Sequence, residues 1–120
     1  MKPVLFRPDD LITGAAAKPV PEPSGEPVSQ VRSASLPSTA RASNRVGVWE
    51  CSPGRWRRQV LPAEFCHFLS GRATFTPDEG EPLEIAAGDV VHFPERSLGV
   101  WDIHEPSRKV FMVFDEEARA

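Results

Sequence analysis

Short runs of β-branched and aromatic residues, separated by turn residues, fill the chain from Arg45 onward. The sequences Ser52-Pro53-Gly54, Pro77-Asp78-Glu79-Gly80 and Ala86-Ala87-Gly88-Asp89 have the composition of turns. Apart from the acidic tail Asp115–Arg119, no segment sustains a helical period. Six or more short strands at this spacing predict a sandwich or a barrel. The predicted strands are Val46–Cys51, Arg55–Leu61, Glu64–Ser70, Arg72–Thr76, Leu83–Ile85, Val90–Phe93, Val100–Ile103 and Lys109–Phe114, with a bend or bulge at Gly71.

The first third of the chain has a different pattern, because seven of the 13 prolines precede residue 45. Proline removes backbone donors and restricts the residue before it, so long helices and central strands are excluded here. We expect an extended arm over residues 1–27, with a short turn at Asp9–Ile12, followed by a single domain over residues 28–120 that starts with an edge strand at Val28–Ser33. Disorder of residues 1–25 is the alternative.

Both faces of the predicted strand Glu64–Ser70 are largely apolar. Alternation places Glu64, Cys66 and Phe68 on one face, which we expect to point into the barrel. The other face must meet the arm, the opposing sheet or a second subunit, because an exposed apolar strand is an aggregation liability. We therefore predict a homodimer. The residues of this second face are Phe65, His67 and Leu69.

Composition narrows the class of protein. The chain has 120 residues, which is room for one domain. Its net charge of −3 and pI near 5.6 argue against nucleic-acid binding, despite the cluster of Arg55, Arg57 and Arg58. Cys51 and Cys66 are too few for a disulfide framework, so two buried free thiols are expected. With no apolar run of membrane or signal-peptide length, we expect a cytoplasmic protein without a membrane partner.

Two segments together resemble the two motifs of the cupin superfamily. The first runs from Glu64 to Gly71, and the second is Gly88-Asp89 followed by Pro94. The segments Gly47–Arg57 and Gly99–Asp102, with Arg108-Lys109, are similar to small single-domain cupins of the ureidoglycine aminohydrolase and ethanolamine-utilisation type. The resemblance covers residues 28–114. It implies an all-β fold, the RmlC-like cupin jelly-roll barrel or double-stranded β-helix, with the proline-rich arm appended.

The resemblance also implies where a metal ion would bind, and this chain departs from that pattern. Of the usual ligands, two His and one Glu in the first motif and one His in the second, Glu64 alone is retained. The first-motif His positions fall near Arg57 and Gln59, or on Arg58 and Val60 if the loop is one residue shorter, and the second-motif position falls on Gly99. We therefore predict no metal at the family position, and no other cofactor.

Other histidines are weak candidates for a metal site. His67 and His92 could supply nitrogen from neighbouring strands, but His67 has the opposite parity to Glu64 on its own strand. His104 is predicted to lie on the surface. A divalent Mn, Fe, Ni or Zn ion held by non-standard ligands stays as the alternative.

An inward Glu64 requires compensation, because an unpaired buried carboxylate is costly. Three outcomes are open: a cationic partner such as Arg57 or Lys109, a metal, or a raised pKa that suits a general acid or base. The structural alternative is an Arg-paired carboxylate that holds two strands together. Trp56 or Trp101 could line a pocket, and Cys66 is expected to be an inert thiol. The predicted site has Glu64 at its centre as the candidate catalytic residue, and the ligand-binding residues around it are Arg57, Gln59, Cys66, Phe68, Trp101 and Lys109.

Three functions fit these residues. The first is a small-molecule-binding cupin, with or without enzyme activity on a small nitrogenous or carbonyl metabolite, in which Glu64 transfers protons. The second is a non-catalytic regulatory module that senses a metabolite. The third is a metal-dependent hydrolase or dioxygenase with non-standard ligands. The sequence leaves the choice open, since one fold hosts many chemistries.

Overall fold

The computed structural model describes residues 2–36 and 44–114, and it is an antiparallel jelly roll. None of the helices in these two ranges is long and apolar enough to span a membrane. The predicted helical tail Asp115–Arg119 lies outside the described residues. The elements in chain order are α1 (Pro8–Ile12), β1 (Lys18–Pro19), β2 (Gln30–Ser35), β3 (Asn44–Cys51), β4 (Gly54–Arg58), β5 (Ala63–Pro77), β6 (Leu83–Ala86), β7 (Val90–Phe93) and β8 (Gly99–Phe114).

Two long strands, β5 and β8, build the barrel by taking part in both of its sheets. They pair with each other along their whole length. The first half of β5 also pairs with β7 and the second half with β6. Likewise, β8 pairs first with β4 and then with β3. One sheet is therefore β1-β2-β3-β8-β5-β7, the other is β4-β8-β5-β6, and the side chains between them form the core.

The junction between the two halves of β5 confirms the bulge predicted at Gly71 but corrects the division into two runs. The runs on either side of Gly71 are one continuous strand, and its pairing with β8 shifts register between Phe68 and Ala73. Gly71 has φ of +95°, and a Cβ there would overlap Ser107 and the carbonyl oxygen of Pro106. The glycine is thus a bulge at which the strand bends into the second sheet.

Other strand boundaries also differ from the predictions. The two runs predicted at 100–103 and 109–114 are the ends of a single strand, β8. Strand β4 ends at Arg58 rather than Leu61, and the edge strand β2 begins at Gln30 rather than Val28. Strand β8 is continuous because the polar residues inside it still pair with β3 and β5. Strand β4 ends at Arg58 because that residue pairs with Gly99, the first residue of β8.

The arm wraps around the edge strand β2 from the outer surface to the inner one. Helix α1 packs on β2 and β3, where Ile12 and Val48 are both buried. Strand β1 then pairs with β2, and Val20 joins the main core cluster. The short turn predicted at the start of α1 is a helical turn, and this part of the arm is ordered against the domain.

An aromatic cluster fills the space between the sheets. Trp101 lies at its centre, with ring centroids 5.1 Å from Phe75, 5.9 Å from Phe93 and 6.0 Å from Trp49. The contacts with Phe75 and Phe93 are edge-to-face, an arrangement that stabilises an aromatic core beyond the area it buries. Cys51 and Cys66 are both buried and free, as predicted.

The outer face of β5 is only partly covered. Phe65 is 49% exposed and Leu69 is 37% exposed, while Val90 on the neighbouring strand is 55% exposed. Within the described residues, therefore, neither the arm nor the opposing sheet covers this face. The homodimer stays a prediction.

Candidate functional site

A cavity of about 130 Å³ opens on the inner surface of the larger sheet, beside the aromatic core. All three tryptophans of the chain line it, from β3, β4 and β8. The lining residues are Ser33, Arg45, Trp49, Trp56, Arg58, Val60, Glu64, Trp101, Lys109, Phe111 and Val113.

Three buried charged side chains form the centre of this site, which we call the ion triad: Arg58, Glu64 and Lys109. Their residues are 1%, 4% and 4% exposed. Arg58 Nη2 donates to Glu64 Oε1 at 2.9 Å, and Lys109 Nζ donates to Glu64 Oε2 at 2.7 Å. The triad therefore combines two cations with one carboxylate, and both carboxylate oxygens are engaged.

Strand alternation explains why these three residues meet. Glu64 near the start of β5 pairs in register with Val113, and Lys109 lies four residues before Val113 on the same face of β8. Arg58 ends β4 next to Gly99 at the beginning of β8. The last residue of β4 thus lies beside the inward face of β5 and β8, and residues from three distant parts of the chain meet.

The surroundings hold both cations in place. Arg58 Nη1 donates to the carbonyl oxygens of Ser97, at 2.8 Å, and Val60, at 3.3 Å, and its guanidinium lies 4.1 Å from the centroid of the Phe93 ring. Lys109 Nζ lies 4.5 Å from the centroid of the Trp49 ring. Cation–π contacts of this kind are strongest when water is excluded.

The triad keeps Glu64 ionised. Burial alone would raise its pKa, but the charges and hydrogen bonds of Lys109 and Arg58 outweigh that effect and lower the pKa below the ordinary value of 4.5. Of the three outcomes left open by the sequence, the structure shows the cationic partner, and Lys109 is one of the two residues named for it.

Arg57 was a wrong choice for the other partner. Its guanidinium binds Asp78 on the surface, with N–O distances of 2.6 and 2.8 Å. Because successive side chains of β4 alternate, the inward residues are Trp56 and Arg58. Gln59 is likewise exposed and outside the cavity. The alternative alignment, with one residue fewer in the loop, matches the structure, since Arg58 and Val60 line the cavity.

The other predicted site residues divide into two groups. Trp101 and Lys109 line the cavity with Glu64. Cys66 and Phe68 share the inward face, as predicted, but they lie in the core behind the cavity wall and not in its lining. Burial raises the pKa of both Cys51 and Cys66 to about 11, so both sulfurs are protonated thiols at neutral pH.

Some lining residues were not anticipated from the sequence. Arg45 and Ser33 stand at the rim on β3 and β2, and Phe111 and Val113 form the wall on β8. The signal for the last two was available, because they alternate with Lys109 along one strand. Nothing in the sequence indicated that Ser33, on β2, lines the same cavity as the ion triad.

The sequence model of the EutQ-like cupin domain matches residues 39–111, which is more than half of the chain. The chain belongs to the EutQ-like cupin family. A search of curated proteins finds no match.

Solved structures support the cupin fold. EutQ of Clostridium difficile is 16% identical and aligns with a TM-score of 0.64 over 75% of this chain and 71% of its own. A protein of unknown function from Rhizobium leguminosarum is 15% identical, with a TM-score of 0.72 over 97% of this chain and its entire length. A DUF861 protein from Thermotoga maritima is 30% identical over 56% of this chain and 76% of its own, with a TM-score of 0.54.

The site of this EutQ-like cupin domain does not fit the metal ion that many cupins hold. The side chains that form ion pairs with Glu64 are an arginine and a lysine, neither of which ligates a metal in its charged form. Gly99, the second-motif position, has no room for histidine, because a Cβ there would lie 2.7 Å from Phe75 Cζ and 2.8 Å from Pro77 Cα. Residues 2–36 and 44–114 contain no group of three His, Cys, Asp or Glu side chains suited to a metal.

The histidines do not supply the missing ligands. His67 and His92 are on the outer face of β5 and β7, opposite Val90 and Phe65 respectively, and thus away from Glu64. His104 is exposed, and its Nε2 lies 2.8 Å from Thr74 Oγ1. The parity argument against His67 agrees with this placement.

Proposed function

We propose that this cupin domain binds a small anionic or carbonyl-bearing metabolite in the cavity at the ion triad, without a metal ion. The observation that carries the proposal is the charge of the cavity wall. Arg45, Arg58 and Lys109 are its bases and Glu64 is its acid, so the lining has a formal charge of 3 − 1 = +2. A charge of this sign favours an anion and disfavours an ammonium compound.

Lys109 is the residue that we expect to contact the ligand. Its ammonium group has three N–H donors, and Glu64 is its only hydrogen-bonding partner among the described residues. Arg58, in contrast, already donates to Glu64 and to two carbonyl oxygens. A carboxylate or carbonyl oxygen bound to Lys109 would complete the buried cation's hydrogen bonding, and the tryptophans would enclose the rest of the ligand.

Proton transfer by Glu64 has less support. A general acid or base works best with a pKa near the operating pH, and the ion triad moves the pKa of Glu64 in the other direction. We therefore favour a binding or sensing role, in which Glu64 holds Lys109 and Arg58 in position. The corresponding enzyme hypothesis predicts that Glu64→Gln abolishes turnover of an identified substrate.

Tryptophan fluorescence offers a direct test, because all three tryptophans line the cavity. We expect sodium acetate to change the fluorescence of the wild-type protein saturably, and ethylammonium chloride to leave it unchanged. Loss of a hydrogen bond to a charged group weakens binding by about tenfold to a hundredfold, so Lys109→Met should bind acetate that much more weakly. Lys2→Met, a change on the exposed arm, is the matched control.

The titration distinguishes the proposal from its failure. A wild-type protein that does not respond to small carboxylates would overturn it, and so would Lys109→Met if the variant folds and binds acetate as the wild type does. If Lys109→Met does not fold, the wild-type comparison of acetate with ethylammonium still decides the sign of the ligand's charge.

A further inference from the structure

The arm borders a second depression next to the cavity, which we call the arm groove. It has a volume of about 500 Å³ and lies between arm residues 15–21 and the inner side of β2. Seven of its nine lining residues are apolar: Ala15, Ala16, Pro19, Val20, Pro21, Val31 and Trp56, the other two being Lys18 and Ser33.

The arm groove adjoins the cavity. Ser33 and Trp56 line both. Trp56 therefore borders the space at the ion triad and also the space beside the arm. A ligand held at Lys109 and long enough to pass these two side chains would reach the arm groove.

The arm is fixed where it forms the groove. Val20 is 5% exposed, and its N–H donates to Ser29 O at 3.1 Å. Beyond Val20 the arm continues along the free edge of β4, where Ser24 N donates to Arg55 O at 2.8 Å and Arg57 N donates to Glu22 O at 3.2 Å. These backbone bonds hold the arm against Trp56, so the groove is present before a ligand arrives.

From the cavity to the arm groove, the lining changes from charged to mostly apolar. The inner end carries the buried cations Arg58 and Lys109, and the outer part is mostly apolar, with Lys18 and Ser33 as its polar residues. We propose that the arm groove is the subsite for the hydrocarbon tail of an amphiphilic monocarboxylate whose head binds Lys109. The arm then selects the ligand by the length of its tail. This inference rests on the function proposed above.

A series of straight-chain carboxylates tests the inference in the intact wild-type protein. Burial of one methylene contributes about 0.8 kcal/mol, or roughly a fourfold change in Kd. From acetate through butyrate and hexanoate to octanoate, Kd measured by tryptophan fluorescence or calorimetry should therefore fall by up to about fourfold per added methylene. A flat series, in which octanoate binds no more tightly than acetate, would overturn the tail subsite.

A charge placed in the groove sharpens the test. Ala16 is exposed and lines the groove, so Ala16→Asp should remove most of the gain from hexanoate and octanoate while acetate binds as it does to the wild type. Ala87→Asp, the same change in an exposed turn that does not line the groove, should keep the full series. If Ala16→Asp retains the wild-type series, the tail does not lie along the arm.

The two proposals fail in different ways. Acetate binding that depends on Lys109, with no gain from a longer tail, would leave the proposed function intact and refute the groove. Absence of binding for every carboxylate would refute both.

Discussion

Within residues 2–36 and 44–114, one cluster inside the barrel and one outside it each place a glutamate between two cations. Inside, Glu64 binds Arg58 and Lys109. Outside, Glu50 binds Arg32 and Arg108, with distances of 2.6 Å from each Nε. In both clusters the pKa of the glutamate is lowered although burial opposes this.

The outer cluster has a mechanical role. Its residues lie in register on β2, β3 and β8, and Arg108 also binds Asp9 of helix α1. It fastens the arm to the outer surface of the sheet. Its side chains are 21–34% exposed at Glu50, Arg108 and Arg32, so solvent and salt screen their attraction.

The inner cluster is different because its side chains are buried. The side chains of Arg58, Glu64 and Lys109 are 2–5% exposed, and such charges are costly to bury even when paired. A stable barrel does not need them, since apolar residues of similar volume often serve as well in other proteins. The outer cluster therefore attaches the arm to the sheet, whereas the inner cluster, with the same arrangement of charges, is a candidate ligand site.

The largest difference between the clusters should appear when each glutamate is removed. Glu64→Ala leaves two buried cations without their carboxylate, and we expect a loss of about 3–5 kcal/mol in the free energy of unfolding. Glu50→Ala leaves partly exposed arginines that water can solvate, and should cost at most about 1 kcal/mol. Urea denaturation of both variants beside the wild type measures the two losses. Equal losses would contradict the distinction.

A smaller difference is expected on acidification. The folded-state pKa of Glu64 lies below its ordinary value of 4.5, so the unfolded chain takes up the proton first. The contribution of Glu64 to stability is therefore complete above about pH 5 and is lost as the pH falls below 4.5 through the folded-state pKa. Glu50 behaves in the same direction, but with more screening.

Neutral variants separate the two contributions. We expect Glu64→Gln to flatten the dependence of the unfolding free energy on pH between pH 5 and the acid transition, and Glu50→Gln to flatten it less. Thermal melts of the three proteins across about pH 3–7 provide the comparison. A Glu64→Gln profile that parallels the wild type would mean that Glu64 is not preferentially ionised in the folded state.

The sequence predicted the fold well because strand signals are local. Alternation within residues 64–70 correctly placed Glu64 inward, and the strand pattern with its turns indicated a barrel. The bulge predicted at Gly71 is confirmed, whereas the finding that the two runs beside it form one continuous strand required the partner strand β8. The register between β5 and β8 depends on the tertiary structure and cannot be derived from a local pattern.

The candidate site was predicted less completely. A shift of one residue reverses the face of every side chain in a strand, and this separates the predicted Arg57 from the observed Arg58. The parity of Trp56, a large apolar residue that should face inward, was the signal that could have decided it. The approach of the arm to Trp56 had no such signal, because it depends on long-range backbone pairing.

Arg58 stands at one of the positions where the cupin resemblance places a metal-ligating histidine, and together with Lys109 it pairs with Glu64. We therefore expect no metal ion at Glu64. In protein purified without chelators, elemental analysis should find Mn, Fe, Ni and Zn each far below one atom per chain, and added ions should not raise the melting temperature. One atom per chain that is lost in Glu64→Gln would contradict this expectation.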